Sequence, residues 1–188
     1  MLRTMKLARE HGRRPRSAPG SLRARLARSW SRDSHWVYFS SDRGGGPLQI
    51  WKVPAAGGEP VQVTRNGGLE SFESPDARFL YYTKRGRKSG FWRMPLGGGE
   101  EIFVPELAAV ANRYWENSSQ GIYFVAPSKA PVLALFHFSD GGVTRVMDLP
   151  VQPTPVNRGI SISPDGRSFL YLQADVATSN LMVVSNFH

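Results

Sequence analysis

The chain has no cysteine in its 188 residues. Disulfide frameworks, Cys-ligated zinc and thiol nucleophiles are therefore excluded. No apolar run approaches the roughly 18 residues that a membrane-spanning helix needs. The N-terminus lacks the apolar core of a secretory signal, so no export signal is visible. Metal-ligand spacing is also missing. None of the four histidines, His11, His35, His137 and His188, has metal-ligand spacing with another histidine or with a carboxylate. A Gly-x-Ser-x-Gly elbow is absent, since Gly159-Ile160-Ser161-Ile162-Ser163 lacks the final glycine. The Gly44 to Gly46 and Gly97 to Gly99 runs are followed neither by Lys-Ser/Thr nor by a helical pattern. They read as hairpin loops, not phosphate loops.

Acidic residues are scarce at one end only. Residues 1–28 carry nine basic side chains against the single acid Glu10, whereas the rest holds 15 basic and 14 acidic. The net charge of +9 thus belongs to an N-terminal arm, and the body is nearly neutral. Residues 1–26 are low in apolar content and read as a basic, disordered arm. Nucleic acid is an expected partner only through that arm.

What the chain has in abundance is turns, with 19 Gly and 14 Pro, and aromatic residues at 11%. Short aromatic and β-branched runs bounded by Gly, Pro, Asp or Asn predict many short strands. Their order repeats after about 42 residues. Ser74-Pro75-Asp76-Ala77-Arg78 matches Ser31-Arg32-Asp33-Ser34-His35, and Phe79-Leu80-Tyr81-Tyr82 matches Trp36-Val37-Tyr38-Phe39. Phe91-Trp92-Arg93-Met94-Pro95 then matches Ile50-Trp51-Lys52-Val53-Pro54, and Gly98-Gly99 matches Gly57-Gly58. A third repeat is worn, with Glu116 to Gln120 at the turn and Ile122 to Val125 as a strand. The fourth has the turn Ser163-Pro164-Asp165-Gly166 and strands at Phe169 to Gln173 and Leu181 to Val184, and it lacks a closing strand.

A period of this length points to propeller blades. The predicted fold is all-β, a β-propeller segment of about four four-stranded antiparallel blades, the last incomplete, in an open or partial ring. The blades are expected at 27–68, 69–109, 110–156 and 157–188. A strand from residues 21–28 could complete the last blade.

Because the turn recurs once per blade, Asp33, Asp76 and Asp165 are spread around the ring and read as structural turn residues, not paired catalytic carboxylates or calcium ligands. Ser34 and Ala77 stand where glycine would be easiest if that position is left-handed. His35 occupies the slot of Arg78 and Arg167 and reads as a solvated turn residue. His137, between Phe136 and Phe138, reads as a strand-surface residue. Trp36, Trp51, Trp92 and Trp115 recur at blade spacing and predict packing between blades. Lys84, Arg85, Arg87 and Lys88 read as a solvated basic loop.

The segments Trp30-Ser31-Arg32-Asp33, Ser41-Asp42-Arg43, Ile50-Trp51, Gly57-Gly58 and Val63-Thr64 resemble the TolB-like propeller repeats, which are related in layout to WD repeats. The resemblance covers residues 27–188. It implies four-stranded blades around a central channel, commonly six to a ring. Propellers of this family occur in the periplasmic Tol system, appended to bacterial winged-helix regulators and Ser/Thr kinases, and as gating domains of prolyl oligopeptidase-like peptidases. The closing stretch Ser179 to Phe187 resembles the regulator- and kinase-linked group. With fewer blades than the family usually has, the chain reads as a C-terminal piece of a longer propeller protein.

Those readings together give a non-catalytic binding or sensing module, with a protein partner or small ligand at a propeller face. No catalytic residue, cofactor-binding residue or metal ligand is expected. The alternative is a gating propeller fragment of a prolyl oligopeptidase-like serine peptidase without its catalytic domain. The resemblance leans towards the periplasm.

Overall fold

The computed structural model describes residues 26–188 except 87, 109, 111–113, 127–129, 152, 154–159, 164, 175–178 and 186–188. The arm expected at 1–26 lies outside the described residues apart from Leu26.

Among the described residues, fifteen strands fold into four separate antiparallel sheets. The first holds β1 (Leu26–Trp30), β2 (Trp36–Ser41), β3 (Gln49–Pro54) and β4 (Val61–Gln62) in sequence order. The second holds β5 (Ser71–Glu73), β6 (Phe79–Lys84), β7 (Gly90–Pro95) and β8 (Ile102–Phe103). The third holds β9 (Trp115–Asn117), β10 (Gly121–Ala126), β11 (Val132–His137) and β12 (Val143–Asp148). The fourth has three strands, β13 (Ile160–Ile162), β14 (Ser168–Ala174) and β15 (Ser179–Ser185). One 3-10 turn, Pro105–Leu107, leads from the second sheet towards the third and begins with a proline whose fixed φ suits a first helical position.

Each middle sheet is buried on both faces, and this is why its strands read as unbroken apolar runs instead of alternating ones. In β10, Ile122 and Phe124 pack towards the second sheet with Phe72, Tyr81 and Phe91. Their neighbours Tyr123 and Val125 point the other way, against Ile160, Phe169 and Tyr171 of the fourth sheet. The joint between the first and second sheets gathers Tyr38, Ile50, Leu80, Tyr82 and Met94. Aromatic geometry is specific where the rings are largest. Phe91 and Trp115 meet edge to face at 4.9 Å and 81°. Burying each such side chain stabilises the joint by roughly 1.5–3 kcal/mol.

The sheets thus stack face to face in sequence as an arc of propeller blades. Four details depart from the sequence reading. Leu26 already belongs to β1, one residue before the expected start, and residues 26–28 pair with the first sheet, not the last. Glu116 and Asn117 extend β9 opposite Tyr123 and Ile122, so the third turn begins only at Ser118. Thr64 falls outside β4, yet its Oγ1 accepts the Ile50 N–H at 2.9 Å and does the work of one more rung. Of the four tryptophans at blade spacing, only Trp115 is buried; Trp36, Trp51 and Trp92 are half-exposed, Trp92 packing against the joint of the first and second sheets. Cations sit on those three rings: Lys52 on Trp36, Arg43 on Trp51 and Lys84 on Trp92.

Candidate functional site

In an antiparallel four-stranded blade, the first and third connections lie at the same end. That end carries the Ser-x-Asp turns. In the second sheet the Ser74 Oγ–H donates to Asp76 Oδ1 at 2.6 Å, and the Arg78 backbone N–H donates to the same oxygen at 3.1 Å. Ser31 with Asp33 and Ser163 with Asp165 repeat the arrangement, each at 2.5 Å. The serine oxygen in turn accepts the first N–H of the next strand, from Trp36, Phe79 and Ser168. The hydroxyl of Ser74, then the Arg78 guanidinium, lowers the Asp76 carboxyl to about 2. Asp33 and Asp165 are lowered too, first by their serine hydroxyls and next by the backbone N–H groups of His35 and Arg167.

The three aspartates do not meet one another. Among the described residues, no group of three or more His, Asp or Glu side chains comes together. His35 lies at its turn with Nδ1 3.3 Å from Asp33 Oδ2, and His137 Nε2 contacts Thr144 Oγ1 on β12. His11 and His188 lie outside the described residues. Lys84 corrects one expectation. Its side chain is only 9% exposed, and its ammonium pairs with Glu101 Oε2 at 2.5 Å, over the Trp92 ring at 4.1 Å. Alternation along β6 turns it inward beside Tyr82, so it is no part of a solvated loop. Arg87 lies outside the described residues.

What the turn end does bring together is a pocket between the second and third sheets, with a volume of about 500 Å³. Arg93 of β7, with Phe79 and Tyr81 of β6, forms one wall, and Phe136 and Phe138 form the other. Arg78, Asp76, Glu106 and Asp140 stand around it. The Arg93 guanidinium lies 4.7 Å from the Phe79 ring centre, and its Nη1 donates to Tyr81 Oη at 3.4 Å. Arg93 Nε is buried and has no hydrogen-bond partner among the described residues. Sequence reasoning passed over Arg93 and Tyr81 as strand residues. The available signal was a cation in the slot that Lys52 fills one repeat earlier.

Deeper between the first and second sheets is a second polar contact that the sequence did not reveal. Glu73, 7% exposed, accepts the Tyr38 hydroxyl on Oε1 and the Arg32 backbone N–H on Oε2, both at 2.8 Å. Burial first, and then this carboxylate, pushes the Tyr38 hydroxyl well above its ordinary value.

Separate sheets stacked in sequence, three of the four with a Ser-x-Asp turn between their first two strands, define a segment of a β-propeller. The particular likeness is to TolB-like propellers. A TolB from Acinetobacter baumannii superposes with a TM-score of 0.63 at 18% identity, over 86% of this chain and 41% of that one. A chain of a nidogen/laminin complex superposes with a TM-score of 0.60 at 12% identity, over 84% of this chain and 60% of that one. The tricorn protease matches with a TM-score of 0.53 at 12% identity, over 87% of this chain and 17% of that one. The chain therefore spans less than two thirds of the length of each of these proteins. No family profile and no curated relative matches the sequence. Among the described residues no helix is long and apolar enough to cross a membrane.

Proposed function

We propose that the chain is part of a non-catalytic propeller that binds a protein or a small ligand at the end carrying the Ser-x-Asp turns. The observation that supports this most is the aromatic, Arg-bearing pocket between the second and third sheets. Loops held on a rigid scaffold are where such modules carry specificity, and a concave, ring-lined pocket with a few polar groups is the usual form of a binding site. In this reading Asp33, Asp76 and Asp165 serve turn geometry, and the blades divide at 27–68, 69–109, 110–156 and 157–188. The remaining blades belong to a longer protein of the regulator- or kinase-linked kind.

Photo-crosslinking side chains at Ser139, beside the pocket, and at Arg85, at the opposite end of the second sheet, test it in extracts of the source cells. Partner adducts are expected from position 139 and not from 85. Adducts confined to position 85 would overturn the reading, as would a hydrolytic turnover lost in Asp165→Asn.

The tricorn protease likeness favours a second reading, a propeller that gates a peptidase in the same longer protein. Peptidase activity of that protein rising towards longer substrates when these blades are deleted would decide for it.

A further inference from the structure

Successive joints between the sheets reuse equivalent positions. Tyr38 of β2 and Tyr81 of β6 are equivalents, standing opposite Lys52 and Arg93 respectively. Glu73 and Asn117, the last residues of β5 and β9, are equivalents too, standing opposite Leu80 and Ile122. At the first joint the Tyr38 hydroxyl meets the Glu73 carboxylate at 2.8 Å. At the second joint the acid is replaced by Asn117, which is exposed. The Tyr81 end of that joint opens instead into the pocket.

The donors there are set up for an anion. Tyr81 accepts from Arg93 Nη1, which leaves its own O–H to donate. The other edge of the guanidinium pairs Nη2 with Nε, which is buried and has no hydrogen-bond partner among the described residues. Once a side-chain shift uncovers it, that edge can take a carboxylate through two parallel bonds. Arg93 is in no ion pair among the described residues. Phe79, Phe136 and Phe138 supply rings for an apolar body beside the charged end.

We propose that this pocket holds the carboxylate of an apolar-bodied ligand, a peptide or an aromatic acid, between the Arg93 guanidinium and the Tyr81 hydroxyl. The ligand oxygen stands at this joint where Glu73 stands at the one before. The acids around the pocket do not reverse the preference. Asp76 is paired with Arg78 at 2.5 Å, and Asp140 Oδ1 accepts the Gly142 N–H at 2.8 Å. Glu106 is exposed, where water and salt screen it, whereas Arg93 acts at contact distance among rings.

The inference rests on the turn end being the binding end, and its test is separable from that reading. Calorimetry on the full chain compares N-acetylphenylalanine, its amide, and N-acetyl-aspartyl-phenylalaninamide. The first offers a terminal carboxylate, the third a side-chain carboxylate, and the amide neither. At least one acid is expected to bind about tenfold or more tighter than the amide. Arg93→Gln, checked for folding by circular dichroism, is expected to weaken the acid by about tenfold, with Arg93→Lys only partly restoring it. Glu106→Gln is expected to tighten it by about threefold. Asn117→Glu supplies the acid from the third sheet, and is expected to abolish binding while raising Tm.

Equal affinity for acid and amide, an acid affinity indifferent to Arg93→Gln, or no binding of either acid by about 10 mM would overturn the assignment. If those results came with crosslinks still at position 139, the carboxylate class would fall and the turn-end reading would stand.

Discussion

The Tyr38 hydroxyl donates to Glu73 Oε1 across 2.8 Å, joining the first sheet to the second through a buried carboxylate. No cation neutralises that acid; it is held by this hydroxyl and the Arg32 N–H alone among the described residues. Tyr38→Phe therefore removes half of its support and should cost about 1–3 kcal/mol in urea denaturation at neutral pH. A second consequence concerns base. The ionisation of Tyr38 is raised above its ordinary 10, so folding favours the protonated hydroxyl. That contribution is complete below pH 10 and is lost as the pH rises above it. Alkaline unfolding of Tyr38→Phe should accordingly be less steep above pH 10 than that of the parent. An identical slope would show that the tyrosine is not what titrates.

Lys84 and Glu101 form the ion pair that flanks the same joint, with side chains 9% and 14% exposed and Asn66 Nδ2 donating to Glu101 at 3.3 Å. Removing one member strands the other charge out of water. Glu101→Leu alone should cost about 3 kcal/mol, and Lys84→Met a similar amount. The double variant Lys84→Met/Glu101→Leu should recover most of the loss, since two apolar side chains leave no orphan charge. Thermal melts of the four proteins form the cycle that checks this. Additive losses in the double variant would mean that the two groups do not act as a pair.

The contrast between these two contacts and the fold explains what could be read in advance. The blade order was legible because it rests on turn chemistry and apolar runs, both of which recur with the period. Ile122 to Val125 reads as a strand in any sheet buried on both faces. The roles of Glu73, Lys84 and Arg93 were not legible because they are set by partners distant in sequence: Tyr38 across the joint for Glu73, Glu101 for Lys84 and Tyr81 for Arg93. Glu73 matters because Tyr38 is 35 residues away in sequence and 2.8 Å away in space. Lys84 reads as the start of a basic loop because Arg85, Arg87 and Lys88 follow it. Only the alternation of β6, which turns it towards Tyr82, places it inside.

Ser34 and Ala77 carry the cost of an imperfect turn. Their φ angles are +60° and +54°, in the left-handed region, where the equivalent residue of the fourth turn is Gly166 at +71°. A side chain there costs about 1–2 kcal/mol, while glycine gives back about 0.4–1 kcal/mol through a more flexible unfolded chain. Glycine at either position should therefore stabilise by about 0.5 kcal/mol net. The double variant Ser34→Gly/Ala77→Gly should raise Tm by about 3 °C in a chain of this size. Gly166→Ala should lower it. A double variant that melts earlier than the parent would show that both turns have relaxed around their side chains.

Acid should undo the same turns from the other side. The Asp76 carboxyl is lowered from 3.8 to about 2, with the Ser74 hydroxyl as the largest cause and Arg78 next. A depressed folded value means the ionised form is favoured by folding. Its stabilisation is complete above pH 3.8 and fades as the pH falls towards 2. Asp33 and Asp165 move in the same direction, so three turns weaken over one acidic window. These carboxyls are solvent-facing, so water screens each contribution and the effect is read best as a slope. Asp76→Asn should flatten the loss of stability between pH 4 and pH 2 relative to the parent. Ser74→Ala separates the causes, because it removes the hydroxyl and leaves Arg78 in place. In that variant the Asp76 carboxyl, followed by carbon-detected NMR titration, should move back up towards its ordinary value. If it stayed near 2, the guanidinium and not the serine would be holding the turn ionised.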